Sequence, residues 1–319
     1  MLKFIIKRAL GLIPLLILVS MFSFMIIQAA PGDPLDNYMQ PGMTEEDVQA
    51  MREKYGLDGN IIEQYGHWLA HVLQGDFGTS IHKNRPVVEL IGERLPAALK
   101  LMGTSLLISI CCSIPLGLIA GLNKNERIDK IISTVIYAGI SIPPFWIAMI
   151  CVIIFAINLR WFPTGGMHTI GQDGLGDFIW HLIMPACVLS LNHTAVYTKY
   201  IRSNTISQLE EDYVITAISK GTNKTVLLFR HVLKNCLLPI ITLVGMNIAG
   251  LVCGSFIIEN IFSWPGIGRL CMEAVGGRDY PVIMGYTMFS CLILITGNLI
   301  ADVLYAVADP RIREGMGDR

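Results

Sequence analysis

The chain has 319 residues, of which 53% are hydrophobic and only 15% are charged, and its mean hydropathy is +0.54. Soluble domains have about 25% charged residues, so this chain has too few charges to cover a water-soluble body of its size, and it is too apolar to be disordered. The net charge of −1 provides no basic field for nucleic acid. The eight cysteines form no C-x-x-C pair, and we interpret them as small buried apolar residues rather than as a disulfide framework or a zinc site.

The distribution of charge predicts six transmembrane helices. Stretches without Asp, Glu, Lys or Arg occur at 9–32, 101–122, 131–159, 178–198, 235–258 and 280–301. About 20 apolar residues cross the hydrocarbon layer. We therefore expect one all-α membrane domain over 1–319, with spans at about 9–30, 101–122, 132–157, 179–198, 236–258 and 281–303. Six such runs in one chain argue against buried helices in a large soluble core.

The first run is preceded by the basic residues Lys3, Lys7 and Arg8, as the apolar part of a signal peptide would be. Its apolar length exceeds the roughly 7–15 residues of a signal peptide's hydrophobic region, and Pro31 follows it, so we expect a retained span. If the N-terminus lies inside, the inner segments carry fifteen Lys and Arg and the outer segments carry eight, while Lys100 lies at the edge of a span. This asymmetry predicts that both termini are cytoplasmic.

The outer segment 31–97 is longer than a simple connection requires. Thr44, followed by Glu45, Glu46 and Asp47, predicts a capped helix with an acidic first turn. We expect a small helical elaboration, which is too short to be an independent domain with a large core.

Two further patterns lie between the second and the fourth run. Pro143 and Pro144 interrupt the 131–159 run and predict a kink or a re-entrant turn. The sequence from Gly174 to Asp177 matches the G-x-G-D of intramembrane aspartyl proteases, but the apolar runs contain no second aspartate for that chemistry. We therefore expect a turn before the fourth span.

The predicted cytoplasmic segment 199–234 is expected to contain a short helix from Glu211 to Lys220, with favourable residues at both ends. Acids stand at its start, and Gly221 suits the left-handed position that follows a helix. Val214 and Ile218 share one face, next to Tyr213 and Ala217. This apolar stripe needs a partner, which is either a groove on a cytosolic protein or the inner ends of the chain's own spans.

The loop that follows the fifth run has the sequence ENIFSWPGIG over 259–268. Two glycines and a proline predict a turn. Phe262 and Trp264 are residue types that suit the headgroup level of a membrane.

The remaining motifs give this chain little means of powering transport. No P-loop and no H-E-x-x-H are present. His181 and His193 lie near the two ends of one run and Asp302 lies at the end of another, so coupling to an ion gradient has little support. Energy is expected to come from another chain. Gly117-x-x-x-Gly121 and Gly250-x-x-x-Gly254 permit close helix packing and would fit an oligomer.

The inner helix and the residues after it resemble the EAA loop of bacterial ABC-importer permeases. With the motif aligned on Gly221, the matching residues are Ala217, Gly221 and Leu238-Pro239, and the two opening positions fall on Ile215 and Thr216. Further landmarks resemble the dipeptide/oligopeptide/nickel branch of the family. They are PGDP (31–34), GDFGTS (75–80), RLPA (94–97), SIPPFW (141–146), ENIF (259–262), PGIG (265–268) and DPRIR (309–313).

The resemblance implies a type I importer permease of the bacterial inner or plasma membrane, which is not itself an enzyme. Its partners would be a homologous second permease, two cytosolic ATPase subunits that use ATP and Mg²⁺, and an extracytoplasmic solute-binding protein. This chain would bind no cofactor, metal or nucleic acid. The resemblance also favours docking of the inner helix on an ATPase. The implied docking residues are Glu211, Tyr213, Ile215, Thr216, Ala217, Lys220 and Gly221, and those near the outer gate are Trp264, Pro265, Gly266 and Gly268.

The resemblance gives a peptide importer as the first expectation for function. A nickel or metal-chelate importer of the same architecture competes with it. Two functions of different classes also stay open, namely a gradient-driven carrier that acts alone and an intramembrane hydrolase.

Overall fold

The computed structural model describes residues 2–30, 35, 43–55, 59–223, 226–227, 232–233, 240, 244–245 and 256–308. The helices are α1 (Leu2–Gln28), α2 (Glu45–Tyr55), α3 (Ile61–Leu73), α4 (Val87–Leu122), α5 (Arg127–Ser141), α6 (Pro144–Cys151), α7 (Leu175–Leu209), α8 (Asp212–Ser219), α9 (Ile267–Gly277) and α10 (Tyr280–Ala308). The π-helix Val152–Asn158 continues α6, and residues 256–261 are also helical.

The chain forms two compact units, Met1–Ala98 with Pro265–Ile295 and Leu99–Trp264 with Thr296–Arg319. In the first unit, α3 packs on α1 through aromatic rings. Tyr65 lies 5.6 Å from Phe24 and 6.0 Å from Trp68 between ring centroids, and its hydroxyl is 2.8 Å from Ser20 Oγ. The outer segment therefore contains the expected helical elaboration, attached to the end of α1.

The predicted cap of α2 is confirmed. The Thr44 backbone N–H donates to Asp47 Oδ2 at 2.9 Å, and the Asp47 backbone N–H donates to Thr44 Oγ1 at 3.3 Å. These bonds satisfy donors that a helix start would leave without a partner. Sequence analysis did not identify α3, whose first turn is fixed by a bond from the Asn60 N–H to Glu63 Oε2 at 3.2 Å.

In the second unit, α4 and α7 approach closely at two glycines. A Cβ atom at Gly117 would lie 2.5 Å from Ile201 Cβ, and one at Gly121 would lie 2.6 Å from Thr205 Cβ. The Gly117-x-x-x-Gly121 motif therefore packs within the chain, and our expectation that it serves an oligomer is wrong for this pair. Gly250 and Gly254 lie outside the described residues.

The break at Pro143–Pro144 is confirmed as a sharp bend. The helices Arg127–Ser141 and Pro144–Asn158 meet at 97°. Pro143 precedes α6, and Pro144 is its first residue, a position where the missing N–H costs no helical hydrogen bond.

Among the described residues, Val87–Leu122, Leu175–Leu209 and Tyr280–Leu299 are long and apolar enough to cross a membrane, and the bent pair would make a fourth span. The shorter apolar helix Ile13–Gln28 covers most of the first predicted span. The 236–258 prediction falls largely outside the described residues.

Two expectations about buried and exposed residues are wrong. Phe262 and Trp264 are 1% and 0% exposed, so they are core residues of the protein and do not present their rings to lipid headgroups. Cys111, Cys112 and Cys187 are exposed on their helices, whereas Cys271 is buried. An apolar residue on a membrane helix needs no protein cover, because lipid tails are equally apolar.

Candidate functional site

The helix α8, which the sequence predicts to be cytoplasmic, follows α7 after only two residues, 210 and 211. The Glu211 carbonyl accepts from the Val214 N–H at 3.0 Å, which closes the first turn of α8. At the other end Gly221 has a φ of +76°, and the Thr222 N–H donates to the Ala217 carbonyl at 3.1 Å. This six-to-one bond across a left-handed residue is the Schellman cap, which confirms the predicted position of Gly221.

One face of α8 rests on the chain itself. Val214 is 0% exposed and packs with Leu227 and Val232, and Tyr213 and Ala217 contact this cluster. The Tyr213 hydroxyl also donates to Gln208 Oε1 at 2.7 Å. The structure therefore places this part of the apolar stripe against the same chain, which is the second of the two partners that the sequence left open.

Thr216 lies on the side of α8 opposite Val214 and is exposed, and its hydroxyl donates to the Asp212 carbonyl at 2.9 Å. Glu211, Lys220 and Gly221, which flank α8, are also exposed. The side chain of Ile215 and the Leu238-Pro239 pair lie outside the described residues. The structure thus divides the predicted docking residues between these exposed positions and a packed face that holds Tyr213 and Ala217.

An ion pair braces the helices that lead to α8. Arg202 of α7 donates from Nε to Asp129 Oδ1 at 2.5 Å and from Nη2 to Asp129 Oδ2 at 2.8 Å. The Asn125 N–H and the Ser133 hydroxyl also donate to this carboxylate. The Asp129 side chain is 4% exposed, and the Arg202 hydrogen bonds lower its pKa to about 2. Because these bonds join α5 to α7, they hold in place the helix that directly precedes α8.

Within the second unit, Trp264 is part of a buried aromatic group. Its ring lies 5.9 Å from that of Phe178, and Lys100 Nζ lies 5.2 Å from the same Phe178 ring. The Trp264 N–H donates to the Glu259 carbonyl at 2.8 Å, which makes the predicted turn.

The turn expected from Gly174 to Asp177 is wrong, because Leu175 to Asp177 already form the first turn of α7. Only Gly174, its N-cap, precedes the helix. Asp177 accepts from the Thr169 hydroxyl at 2.6 Å and from the Thr169 N–H at 2.8 Å, and the first of these bonds lowers the pKa of Asp177 below its usual range.

The other three predicted gate residues begin α9 in the first unit. Gly266 is its N-cap and Gly268 lies in its first turn, and both are buried, while Pro265 is half-buried.

Sequence analysis missed a second anchored carboxylate in the first unit. Asp279 is 1% exposed and accepts from the Ser80 hydroxyl at 2.5 Å and from the Ile81 and His82 N–H groups, each at 3.1 Å. These bonds hold the loop before α4 to the turn between α9 and α10. The available signal was an aspartate at the N-cap position of a long apolar run.

Comparison with known families assigns the chain. Residues 113–314 match the model of the binding-protein-dependent transport system inner membrane component, and residues 1–102 match that of the N-terminal part of such membrane components. The chain belongs to this family. It is a multi-pass membrane component of a transport system, and the matched family is a permease rather than a catalytic subunit.

Individual relatives cover the whole chain. The oligopeptide transport system permease protein AppB of Bacillus subtilis is 44% identical over 98% of this chain and 99% of its own length. The glutathione transport system permease protein GsiC is 37% identical in Salmonella typhimurium and 36% identical in Escherichia coli, with the same coverage. The resemblance seen in the ordered landmarks is therefore confirmed as an ABC-importer permease of the peptide branch.

Proposed function

We propose that the chain is one permease subunit of an ATP-driven importer and forms half of a translocation pathway for di- or oligopeptides. The observation that carries this proposal is the 44% identity, over nearly the entire chain, to an oligopeptide permease. We further propose six spans over the predicted ranges, both termini in the cytoplasm, and residence in the bacterial plasma membrane.

The proposed assembly contains a homologous second permease, two cytosolic ATPase subunits and an external solute-binding protein. ATP and Mg²⁺ are used by the ATPases, and this chain binds no cofactor. Membrane lipid surrounds the spans. The outer segment 31–97 and the turn at 264–268 are placed near the binding protein and the outer gate by the same proposal.

The coupling mechanism follows from how α8 is held. Its exposed face, with Thr216 and Lys220, is the proposed docking surface for an ATPase. Its packed face passes a displacement of α8 to the rest of the chain, because Val214 is fully buried and Ala217 contacts the same cluster. Only two residues separate α8 from the 35-residue α7. When the ATPases close on ATP, displacement of α8 therefore moves α7, and access to the pathway switches from inward to outward.

The proposal is tested with the assembled transporter in proteoliposomes. Thr216→Glu places a bulky charge on the proposed docking face without entering the buried cluster. The matched control is Ser207→Glu on α7, where an exposed hydroxyl likewise donates to a carbonyl one turn earlier, that of Ser203, at 3.2 Å. We expect the Thr216 variant to lose most ATP-driven peptide uptake while assembly into the membrane persists, and the control to retain uptake. Equal uptake by both variants would refute the docking face.

A further inference from the structure

The first unit contains a cavity of about 470 Å³ on the predicted outer side. It is lined by the ends of α1 and α2, by α3, by the loop at 76–79 and by the start of α10. Its volume lies within the range of small-molecule sites, about 300–1,000 Å³. All of its lining residues belong to one compact unit.

Aromatic side chains form much of the cavity wall. Each of the five surrounding elements contributes one phenylalanine, tyrosine or tryptophan ring, and these rings belong to Phe24, Tyr55, Trp68, Phe77 and Tyr280. Trp68 is fixed by its stacked contact with Tyr65, with ring centroids 6.0 Å apart. Its indole Nε1–H is buried and has no acceptor within the part of the chain that the structure describes. The wall therefore offers aromatic faces and one unused donor.

The lining contains two carboxylates and two histidines. Glu53 and Asp76 line the cavity with His67 and His71, whereas no lysine or arginine is found among the described lining residues. Asp76 is already engaged, since it accepts from the Gly78 N–H at 2.8 Å and pairs with His71 Nδ1 at 3.2 Å. Glu53 has no hydrogen-bond or ion-pair partner in the described segments, which leaves its charge available to a ligand.

Aromatic faces combined with a free carboxylate suit a cation. The negative face of an aromatic ring attracts an ammonium ion, and a nearby carboxylate adds to that attraction. An apolar body on the ligand would use the remaining ring surface, since burying it removes apolar area from water.

We propose that this cavity is a binding site for a primary ammonium group carried on an apolar or aromatic body, held by Glu53 and the ring of Trp68. The site lies outside the coupling segment, and the inference goes beyond the proposed import function. The ammonium group comes either from a soluble amine or from the ethanolamine headgroup of a membrane lipid, because both present the same chemistry.

The test uses the assembled transporter in phosphatidylglycerol nanodiscs, with phenethylamine as the probe and isothermal titration calorimetry near neutral pH. The uncharged 2-phenylethanol has the same aromatic body and isolates the contribution of the ammonium group. We expect phenethylamine to bind and 2-phenylethanol to bind more weakly. Equal binding of the two, or no heat of binding at millimolar phenethylamine, overturns the proposal.

Two variants locate the site. Glu53→Gln should raise the Kd of phenethylamine roughly three- to tenfold, as expected for the loss of one charge contact, and Trp68→Leu should raise it by a similar factor. The matched control is Glu46→Gln, which removes the same charge from an exposed position on α2 outside the cavity. A Kd that changes equally in the Glu53 and Glu46 variants overturns the assignment, and because both positions are exposed, the comparison does not depend on a folding defect.

A last arm distinguishes the two sources of the ammonium group. Nanodiscs that contain phosphatidylethanolamine should weaken phenethylamine binding if the lipid headgroup occupies the cavity. Unchanged binding assigns the site to soluble amines. Uptake of peptide need not change in any of these variants, so failure of this proposal is distinguishable from failure of the import function.

Discussion

Alanine at Gly117 or Gly121 should force α4 away from α7. The new Cβ at Gly117 would lie 2.5 Å from Ile201 Cβ and 3.1 Å from the Thr198 carbonyl oxygen. Neither neighbour is the end of a flexible side chain, so the contact cannot be relieved by a rotamer change. Ordinary contact begins near 3.4 Å, and the helices must therefore separate by about 0.9 Å at this point.

The expected cost follows from the close packing of this region. Overpacking a well-packed contact costs about 1–3 kcal/mol. Replacing a helical glycine by alanine returns about 0.5–1 kcal/mol through backbone entropy, so we expect a net destabilisation between about 0 and 2.5 kcal/mol, with a midpoint near 1 kcal/mol, for each variant. A chain of this size should then lose a few degrees of apparent Tm.

The matched control is Gly103→Ala, on the same helix, where an added Cβ meets nothing within 4 Å. The measurement is a tryptophan-fluorescence melt of the assembled transporter in one detergent. Gly103→Ala should match or exceed the unmodified protein, while Gly117→Ala and Gly121→Ala fall below it. Identical melting of all three variants would refute the close helix approach.

Three further predictions concern α8 and the ion pair between α5 and α7. Gly221→Val should uncouple ATP hydrolysis from uptake and destabilise the protein by about 1 kcal/mol or more, because φ is +76° at this position although the space around it is open. Gly221→Asn should retain more coupling, since Asn tolerates this conformation. Equal ratios of ATP hydrolysis to uptake in the two variants would contradict the proposed role of the helix cap. Lowering the pH from 4 to 2 should reduce the free energy of unfolding by about 2 kcal/mol, because the pKa of Asp129 is about 2 in the folded protein and its usual value is 3.8. Asp129→Asn should flatten this part of the curve of stability against pH. A curve that the substitution leaves unchanged would argue against the ion pair. Lys220→Glu should reduce ATP-driven uptake because it reverses a charge on the exposed face of α8, and this is checked by vesicle uptake with protein levels measured in parallel.

Parts of the fold followed from local patterns. The bend at Pro143–Pro144, the cap at Thr44 and the left-handed residue Gly221 were all expected, because each depends on backbone rules that act over a few residues. The family was also recognisable from its ordered landmarks, because each landmark is a short contiguous motif that can be found without knowing the tertiary structure.

The site was predicted less completely because contacts between distant residues leave no periodic signal. The Asp129–Arg202 pair joins residues 73 positions apart, and Asp279 meets Ser80 across 199 positions. Neither pair could be chosen from sequence among the many charged and polar residues near span ends. The aromatic cavity was missed for the same reason, since its five rings come from five different elements.

By itself, the sequence determined that this is a helical membrane protein with long charge-free runs and a short, capped helix between two of them, because hydrophobic length and capping are local properties. Only the tertiary structure decided which face of that helix is buried. Val214 packs against Leu227 and Val232, while Thr216 stays exposed. The same holds for Gly117, which packs against Ile201 rather than against another subunit. Helical periodicity can group residues on one face, but the partner of that face is set by three-dimensional packing of segments far apart in the chain.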